Sequence, residues 1–281
     1  ALWLCRSVMK KFQPAVVIGT GGYASGPALY VAQKMGIPTL VQEQNSYAGV
    51  TNVKLGDGAK LICTAYPNAQ RFFPGSKVRL TGNPVREAFT EALPEAKASK
   101  SSLGFDPEKP LLLILGGSLG ARAINVHIDK SLEALKAQGW QIMWQCGKLY
   151  EKEYIGRTGK GVVVSAFIDD MAKAYAAADA IVSRAGAGTL SELCLIGKPA
   201  LLVPSPNVAE DHQTHNAKAL SEKGAAVLIP ETELDQRFTV ELEALLRNDK
   251  RGTLMGARIK SLALPRATAD IVDLIEELAG E

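Results

Sequence analysis

The chain has 281 residues, of which 47% are hydrophobic and 22% charged, and its formal net charge at pH 7 is +3. This length suits one large or two medium domains, and so mild a charge argues against a nucleic-acid-binding protein, which would carry a concentrated basic stripe. No run approaches the roughly 18 to 20 apolar residues that a bilayer-spanning helix needs. The opening residues ALWLCRSVMKKF carry their basic residues at the wrong end for a signal peptide. The sequence therefore predicts a cytoplasmic protein.

Short β-branched or leucine-rich runs alternate with helical patterns, which indicates βαβ units on parallel sheets. The first predicted strands are Ala15–Gly19, Thr39–Gln42 and Leu61–Ala65. A second series has six strands, separated by helices such as Ala121–Ala137 and Asp211–Lys223: Leu111–Leu115, Gln141–Gln145, Gly161–Ser165, Ala180–Ser183, Ala200–Val203 and Ala225–Ile229. The four cysteines lack CxxC spacing and lie in apolar runs, which predicts free buried thiols: Cys5, Cys63, Cys146 and Cys194.

The strand pattern predicts two α/β domains. Six strands suffice for a complete doubly wound domain, whereas three or four strands after an initial helix indicate an incomplete one. The polar segment Glu91–Pro110 marks the zone of a domain boundary. We expect residues 1–85 to form a partial first domain and residues 86–264 a second domain. Residues 265–281, with the amphipathic pattern Ala267–Leu278, should pack back on the first domain.

Ligands of open parallel sheets bind beyond the carboxyl ends of the strands, so the loops there carry the functional information. GGSLGA, Gly116–Ala121, follows a strand and opens a helix. Its glycines allow close backbone approach, Ser118 offers a hydroxyl, and the amides at a helix N-terminus attract phosphate. A plain tight turn is the alternative. GxGxxG spacing and the Walker lysine are absent, which disfavours a nicotinamide site and a P-loop.

A second loop of this kind is Ser183–Leu193, SRAGAGTLSEL. Gly186 and Gly188 loosen the turn, and Glu192 in the first helical turn could accept hydrogen bonds from two ribose hydroxyls. The alternative is structural, because Thr189 and Glu192 have the spacing of a capping box.

Two further loops add polar and apolar groups. Pro204–Ala217 contains Gln213 and two histidines whose spacing does not suit zinc, so contacts to a sugar or phosphate fit better. In Ala166–Met171, AFIDDM, Asp169 could cap the next helix. Ile168 and Met171 could form one wall of a base-binding slot.

In the first domain, Gly19–Pro27 and Gln42–Asn52 follow strands and are rich in glycine and amides, although plain loops remain possible. Glu43 and Asn45 would suit a sugar pocket. Arg86, at the end of TGNPVR, could reach a diphosphate, or it could be an unpaired surface arginine.

Seven of these segments, in this order, resemble the MurG family of cell-wall glycosyltransferases: GTGGYASGP, QEQNSYAGVTN, GNPVR, GGSLGA, FIDDM, RAGAGTLSE and DHQTHNA. The resemblance implies two doubly wound Rossmann-like domains facing a cleft, a GT-B fold, with the first domain incomplete. This sequence departs from the family pattern in two ways. The GGTGGH loop that is usual near the amino terminus is absent, and Gln42 stands where many members have histidine.

The resemblance also implies roles for single residues. Substrate-binding positions would be Asn45, Arg86, Ser118, Ile168, Ala187, Gly188, Thr189, Glu192 and Gln213. Glu192 would take the ribose hydroxyls, Ile168 the uracil through its backbone, and Asn45 the N-acetylglucosamine. The acceptor-side loop would contain Gly21, Gly22, Tyr23 and Ser25, and Glu43 is the candidate general base. No metal ion and no cofactor is required.

The implied function is an inverting transfer of N-acetylglucosamine from its uridine diphosphate to an undecaprenyl-linked muramyl-pentapeptide, the step from lipid I to lipid II in peptidoglycan synthesis. The acceptor implies a protein that lies peripherally on the inner face of the cell membrane. Two alternatives stay open. One is another two-domain UDP-sugar enzyme, either a glycosyltransferase or a 2-epimerase, and an epimerase would consume donor without acceptor. The other is a truncated, non-catalytic donor-binding module.

Overall fold

The computed structural model describes residues 1–90, 92–247 and 249–280, and it divides into two compact units. The first comprises Ala1–Val85 and Leu264–Glu281, and the second comprises Arg86–Ala263. The polar segment that the sequence predicted as a boundary zone begins at residue 91, outside the described residues. Its remainder lies inside the second unit, because Lys100 pairs with Asp179 at 2.7 Å and ties the segment to the second sheet.

The first unit contains a parallel sheet of four strands in sequential order. Its strands are β1 Val17–Gly19, β2 Thr39–Glu43, β3 Leu61–Thr64 and β4 Val78–Leu80, and its first helices are α1 Leu2–Phe12, α2 Gly22–Lys34 and α3 Val50–Gly56. Leu29 of α2 packs with Val41 and Ile62 in the core on one face of this sheet. At Gly19 an added Cβ atom would lie 2.2 Å from Leu29, so glycine allows α2 to pack this closely on the end of β1.

The second unit contains a six-stranded parallel sheet. Its strands are β5 Leu111–Leu115, β6 Gln141–Gln145, β7 Val162–Ser165, β8 Ala180–Ser183, β9 Ala200–Leu202 and β10 Val227–Leu228. Its helices are α4 Ala96–Ser102, α5 Arg122–Ala137, α6 Glu151–Tyr154, α7 Met171–Ala177, α8 Ala187–Ile196, α9 His212–Ser221, α10 Leu234–Arg247 and α11 Asp249–Lys260. Every residue of β5, β6 and β8 is buried, as expected where helices cover both faces of a parallel sheet.

The strand order of the second sheet is β10-β9-β8-β5-β6-β7. From β5 the chain first builds outward through β6 and β7, then returns to place β8 on the other side of β5. This is the doubly wound order, and its topological switch point lies between β5 and β8. The α/β class with two Rossmann-like domains, predicted from the alternation of strands and helices, is confirmed.

The last helix, α12 Ala267–Gly280, belongs to the first unit. Its Ile271 and Leu278 pack with Leu40 and Cys63 on the face of the first sheet opposite the Leu29 core. The connection into α12 passes Gly82, which has φ +91° and whose added Cβ atom would lie 2.8 Å from Leu264. A side chain at position 82 would therefore disturb this packing.

Among the described residues, no helix combines the length and the apolar character needed to cross a bilayer. The cysteines are free, and three are buried, whereas Cys5 on α1 is half-buried, which corrects the prediction for that residue. Burial raises the pKa of Cys63 to about 11 and that of Cys194 to about 12.

Candidate functional site

A cavity of about 200 Å³ opens at the carboxyl ends of the second sheet's strands, beside the switch point between β5 and β8. The ends of β5, β6 and β8 and the segment after β7 supply part of the wall, and Arg86, α7 and α8 complete it. The lining consists of Arg86, Leu115, Gly117, Gln145, Phe167, Ile168, Met171, Tyr175, Ser183, Arg184, Thr189 and Glu192. Four residues predicted from the sequence to bind substrate, namely Arg86, Ile168, Thr189 and Glu192, therefore line one cavity.

The Glu192 carboxylate is the most tightly positioned group in this cavity. Arg86 Nη2 lies 3.2 Å from Glu192 Oε1, and the Tyr175 hydroxyl donates to Glu192 Oε2 at 2.9 Å. Tyr175 is fully buried, and burial and then the nearby Glu192 charge raise its pKa far above the ordinary value, so its hydroxyl keeps its proton. The Arg86 guanidinium also lies over the ring of Phe89, 4.8 Å from its centroid. The Glu192 carboxylate is thus held in the cavity wall between the Tyr175 hydroxyl and the Arg86 guanidinium.

The start of α8 tests the structural interpretation of the Ser183–Leu193 loop. Helix α8 begins at Ala187, with Gly186 as the N-cap residue, so Thr189 lies in the third helical position and cannot be the cap of a capping box. The structural alternative is therefore wrong. Glu192 points instead to Arg86 and Tyr175, which come from other segments of the chain. Ala187 and Gly188 form the first turn of the helix, next to the lining residue Thr189.

The GGSLGA loop ends β5 and leads into α5. Gly117, with φ +78°, is exposed and an added Cβ would meet nothing within 4 Å, whereas at Gly116 an added Cβ would lie 2.9 Å from the Gln145 carbonyl. Gly117 thus leaves the backbone of the loop open to a ligand, whereas Gly116 allows the loop to pack closely on the end of β6. The Gly120 amide donates to the Gly117 carbonyl at 3.1 Å, so this amide is already engaged within the loop.

The amino end of α5 retains anion-binding capacity. The helix begins at Arg122, and its N-cap residue Ala121 makes no side-chain capping hydrogen bond. Ser118 is exposed in the loop just before it. Uncapped amides and a helix dipole favour a negative ligand at this position. Ser118 itself lies on the loop rather than in the wall of the 200 Å³ cavity.

The segment after β7 supplies the apolar wall. Ile168 and Met171 are buried, and Phe167 is 47% exposed, all three at the cavity. Asp170, and not the predicted Asp169, caps α7, because its carboxylate accepts from the Lys173 amide at 3.0 Å. The helix starts one residue later than the sequence pattern indicated.

The loops after β8 and β9 are fixed by polar contacts. Arg184 donates to the Val203 carbonyl at 3.0 Å and pairs with Glu231 at 2.6 Å, while Gln213 Oε1 accepts from the Ser205 amide at 2.9 Å. Gln213 thereby shapes the loop after β9 and is not part of the cavity wall. Arg184 was missed by the sequence reasoning, although its position just after a strand was a usable signal. Tyr175 was missed because nothing in its alanine-rich helix marks it.

The candidate residues of the first unit form a separate buried polar network at the end of β2. Glu43 is 1% exposed. Its Oε1 accepts from the Asn45 amide at 3.0 Å, and its Oε2 accepts from the Gly49 amide at 3.0 Å and from Asn52 Nδ2 at 2.8 Å. Gln42, the residue that departs from the family pattern, is 5% exposed and donates to Asn83 Oδ1 at 2.9 Å.

This geometry favours a positioning role for Glu43 over the predicted role of general base. Both of its oxygens already accept hydrogen bonds from the loop that follows, and the carboxylate is out of contact with solvent. Its charge holds the loop from Asn45 to Asn52 in one conformation. Asn45, half-buried at the start of that loop, is a substrate-contact candidate that Glu43 positions.

The acceptor-side loop predicted from the sequence is the start of α2. Gly21 and Gly22 have φ +87° and +71°, a conformation that favours glycine. Tyr23 is 96% exposed, and the Ser25 hydroxyl donates to the Gly22 carbonyl at 3.2 Å. At Gly21 an added Cβ would lie 3.4 Å from Asn52 Nδ2, so this loop adjoins the Glu43 network. Within the described part of the chain, no three His, Cys, Asp or Glu side chains are grouped to hold a metal ion.

Comparison with known proteins places these features in a family context. Residues 111–271 match the model of the glycosyltransferase family 28 C-terminal domain, and residues 1–64 match that of the family 28 N-terminal domain. The UDP-N-acetylglucosamine–N-acetylmuramyl-(pentapeptide) pyrophosphoryl-undecaprenol N-acetylglucosamine transferase of Christiangramia forsetii is 49% identical over 273 residues, 97% of this chain and 75% of the relative. The protein of that name from Bacteroides thetaiotaomicron is 46% identical, with 99% and 76% covered.

Two solved structures extend the comparison. The crystal structure of Acinetobacter baumannii MurG has a TM-score of 0.81 and 34% identity, covering 99% of this chain and 77% of that one. A UDP-GlcNAc 2-epimerase from Neisseria meningitidis has a TM-score of 0.68 at 14% identity, covering 98% of this chain and 80% of the other. Identity this low shows a shared fold only.

Proposed function

We propose a donor-binding role for the second unit on the premise that the chain belongs to the MurG family, within glycosyltransferase family 28. The chain is accordingly an N-acetylglucosaminyltransferase. Its reaction moves N-acetylglucosamine from uridine diphosphate N-acetylglucosamine to an undecaprenyl-linked muramyl-pentapeptide, a step of peptidoglycan synthesis. The donor is the ligand for which the cavity beside the switch point is built.

The single observation that carries the site proposal is the placement of the Glu192 carboxylate. Tyr175 and Arg86 hold it at the rim of a cavity whose other wall, Ile168 and Met171, is apolar. A carboxylate accepts two hydrogen bonds from the vicinal hydroxyls of a ribose, and an apolar wall suits a pyrimidine base. Of the ligand classes that a glycosyltransferase uses, a uridine nucleotide carries both parts.

The diphosphate should lie between the uncapped start of α5 and Arg86. The amides after Ala121 and the Ser118 hydroxyl donate hydrogen bonds, and the guanidinium of Arg86, 57% exposed in its side chain, is free to turn. Transfer of the sugar by inversion breaks the bond from the anomeric carbon to the diphosphate, where negative charge accumulates. Fixed donors aimed at this charge stabilise the transition state more than the ground state.

Donor binding requires Arg86 to change partners. In the described structure its Nη2 occupies Glu192 Oε1, one of the oxygens that the ribose needs. When the guanidinium turns to the diphosphate, it exchanges one anionic partner for another and releases Glu192. The Arg86 side chain is 57% exposed, so water can solvate its guanidinium during the exchange.

In the first unit, the loop that Glu43 organises supplies sugar-binding amides. Asn45 is the first of these, and Gln44 is tied back through its Nε2, which donates to the Gln42 carbonyl at 2.9 Å. Side-by-side amides match the hydroxyl and acetamido groups of an amino sugar, because each amide both donates and accepts.

We further propose that the protein contacts a membrane surface through α1. Leu4, Val8 and Phe12 follow one another at helical spacing on one side of this helix, and Trp3 is exposed in its first turn. Trp3 is 82% exposed and Phe12 78%, and the last helical turn carries two lysines. An exposed apolar stripe flanked by basic residues binds the interface of an anionic bilayer, and the acceptor's undecaprenyl chain is a membrane lipid.

Vesicle flotation tests this contact. With phosphatidylglycerol vesicles, the double variant Trp3→Glu/Phe12→Glu should float at most one tenth as well as the unaltered protein. Val240→Glu is the control, because Val240 is 63% exposed on α10 of the other unit. Equal flotation of all three proteins would remove α1 from the proposal.

Isothermal titration calorimetry tests the donor site. We expect uridine diphosphate N-acetylglucosamine to bind in the micromolar range, about −7 to −8 kcal/mol, and Glu192→Ala to weaken binding by roughly tenfold or more, about 1.4 kcal/mol. Glu133→Ala is the matched control, since Glu133 is a surface residue of α5 with an 82% exposed side chain. A folded protein without detectable donor binding, or equal weakening by both substitutions, would contradict the proposal.

A further inference from the structure

A second, larger cavity of about 1000 Å³ lies at the amino-terminal edge of the second sheet. Pro110 and Asp179, which precede β5 and β8, and Lys198, which precedes β9, border it together with helix α11. It shares no lining residue with the donor cavity, which lies at the carboxyl ends of the same strands. The proposed function assigns nothing to it, although its volume matches that of a small-molecule site.

The charges around this cavity are unbalanced. Its lining contains four lysines and two carboxylates, Glu108 and Asp179. Both carboxylates are already engaged: Glu108 pairs with Lys97 at 2.7 Å, and Asp179 pairs with Lys100 at 2.7 Å while also accepting from the Leu111 amide at 2.7 Å. The positive charge of the remaining lysines is therefore not matched by these lining carboxylates.

Lys198 is the cation left over from this arrangement. Lys100 is 6% exposed, and its ammonium group pairs with Asp179 and donates to the Lys109 carbonyl. The ammonium group of Lys260 donates to the Leu195 carbonyl. Burial lowers the pKa of Lys198, and the neighbouring Lys100 lowers it further against the opposing attraction of Asp179. A half-buried ammonium beside a second ammonium is stabilised by an anion between them.

A buried tryptophan borders the cavity and provides a reporter for it. Trp140 borders the cavity and is 4% exposed, yet its Nε1 has no hydrogen-bond partner among the described residues. Leaving a buried donor unpaired costs about 1–3 kcal/mol. Because this nitrogen has no surface open to the cavity, Trp140 serves as a reporter of this wall and not as a ligand contact.

We propose that this cavity is a second binding site, for a small phosphorylated organic molecule. The phosphate would be held by Lys198, with the Thr253 hydroxyl and the N–H groups of Lys260 that do not bind the Leu195 carbonyl as further donors. Lysine is a common phosphate ligand, because its ammonium group acts as a compact point charge with three donors. The walls formed by Pro110 and Pro199 would take the apolar part of the molecule. This proposal does not depend on whether the cavity beside the switch point binds the uridine nucleotide.

The test uses inorganic pyrophosphate as the probe, titrated calorimetrically into the protein after it has been saturated with uridine diphosphate. Filling the donor site in advance keeps the probe out of that site, and the substitutions at Lys198 then test whether the probe binds in the second cavity. We expect saturable binding that Lys198→Gln weakens at least tenfold and that Lys198→Arg largely retains. Lys136→Gln is the control for charge alone, since Lys136 pairs with Glu133 on the surface of α5.

A second readout needs no substitution at the site. The chain has three tryptophans, so its ¹⁵N–¹H spectrum contains three indole resonances, and the one absent from Trp140→Phe belongs to Trp140. Pyrophosphate should shift that resonance in the unaltered protein saturated with uridine diphosphate. The proposal is overturned if that protein binds no pyrophosphate, if Lys198→Gln binds as well as Lys136→Gln, or if the Trp140 resonance stays in place. Repeating the titration without uridine diphosphate separates this result from a failure of donor binding.

Discussion

Replacing Tyr175 by phenylalanine removes one atom, the hydroxyl oxygen that donates to Glu192 Oε2 at 2.9 Å. The side chain is fully buried and its ring contacts Phe89 edge-on at 5.4 Å between centroids, so the phenylalanine ring should occupy the same place. The substitution therefore tests whether Tyr175 orients the carboxylate that we propose for the ribose.

The structure sets the size of the effect. A hydrogen bond to a charged acceptor is worth about 1.5–3 kcal/mol. The Glu192 side chain keeps 17% of its exposure, so water replaces part of the lost bond. The freed carboxylate can also turn toward Arg86, which competes with the ribose. We expect the donor affinity to fall by about 1–2 kcal/mol, roughly 5- to 30-fold in dissociation constant.

The assay compares uridine diphosphate with its 2′-deoxy analogue by calorimetry. The unaltered protein should bind the deoxy analogue more weakly, because the analogue lacks one hydroxyl that Glu192 accepts from. In Tyr175→Phe the ratio of the two dissociation constants should move toward one. A loss of stability alone would weaken both nucleotides equally and leave that ratio unchanged.

Tyr154→Phe is the matched control. Tyr154 is also buried, at 2% exposure, in the same unit, but it packs against Trp144 and does not line the donor cavity. It should bind both nucleotides like the unaltered protein. The reasoning fails if Tyr175→Phe discriminates the two nucleotides as the unaltered protein does.

Three further predictions concern other parts of the molecule. Glu43→Gln places an amide donor against the amides of the following loop. We therefore expect a lower melting temperature together with lower activity. A full loss of kcat at an unchanged melting temperature would instead support the general-base role of Glu43. Burial lowers the pKa of His127, so protonation of this histidine favours the unfolded chain. The free energy of unfolding should therefore be constant above about pH 6.5 and should decrease as the pH falls below that value. Urea titrations should give a shallower decline in His127→Gln, and an unchanged slope would contradict this. Asn125→Ala leaves the Trp144 indole N–H and the Cys146 carbonyl unpaired in the core and should cost about 1–3 kcal/mol in chemical denaturation, whereas a cost near zero would mean that water replaces the amide.

Local sequence patterns were enough to place most secondary structure. The predicted strands Leu111–Leu115, Gln141–Gln145 and Ala180–Ser183 have the observed bounds, because runs of β-branched and apolar residues between turn residues are local signals. Helix starts were less accurate. Helix α8 begins two residues before Thr189, because Gly186 takes the N-cap position and Glu192 binds Arg86 instead of the helix start.

The sequence by itself determined the class of fold and which loops carry function, because glycines, amides and a carboxylate after a strand are visible one segment at a time. Only the tertiary structure decided which of these residues act together. Arg86 and Glu192 are 106 positions apart, and Tyr175 carries no sequence signal, yet all three meet where β8 returns beside β5. Which distant segments meet depends on strand order, and no local pattern encodes strand order. The hydrogen bonds that engage both carboxylate oxygens of Glu43 likewise depend on the folded loop and are not visible in the local sequence.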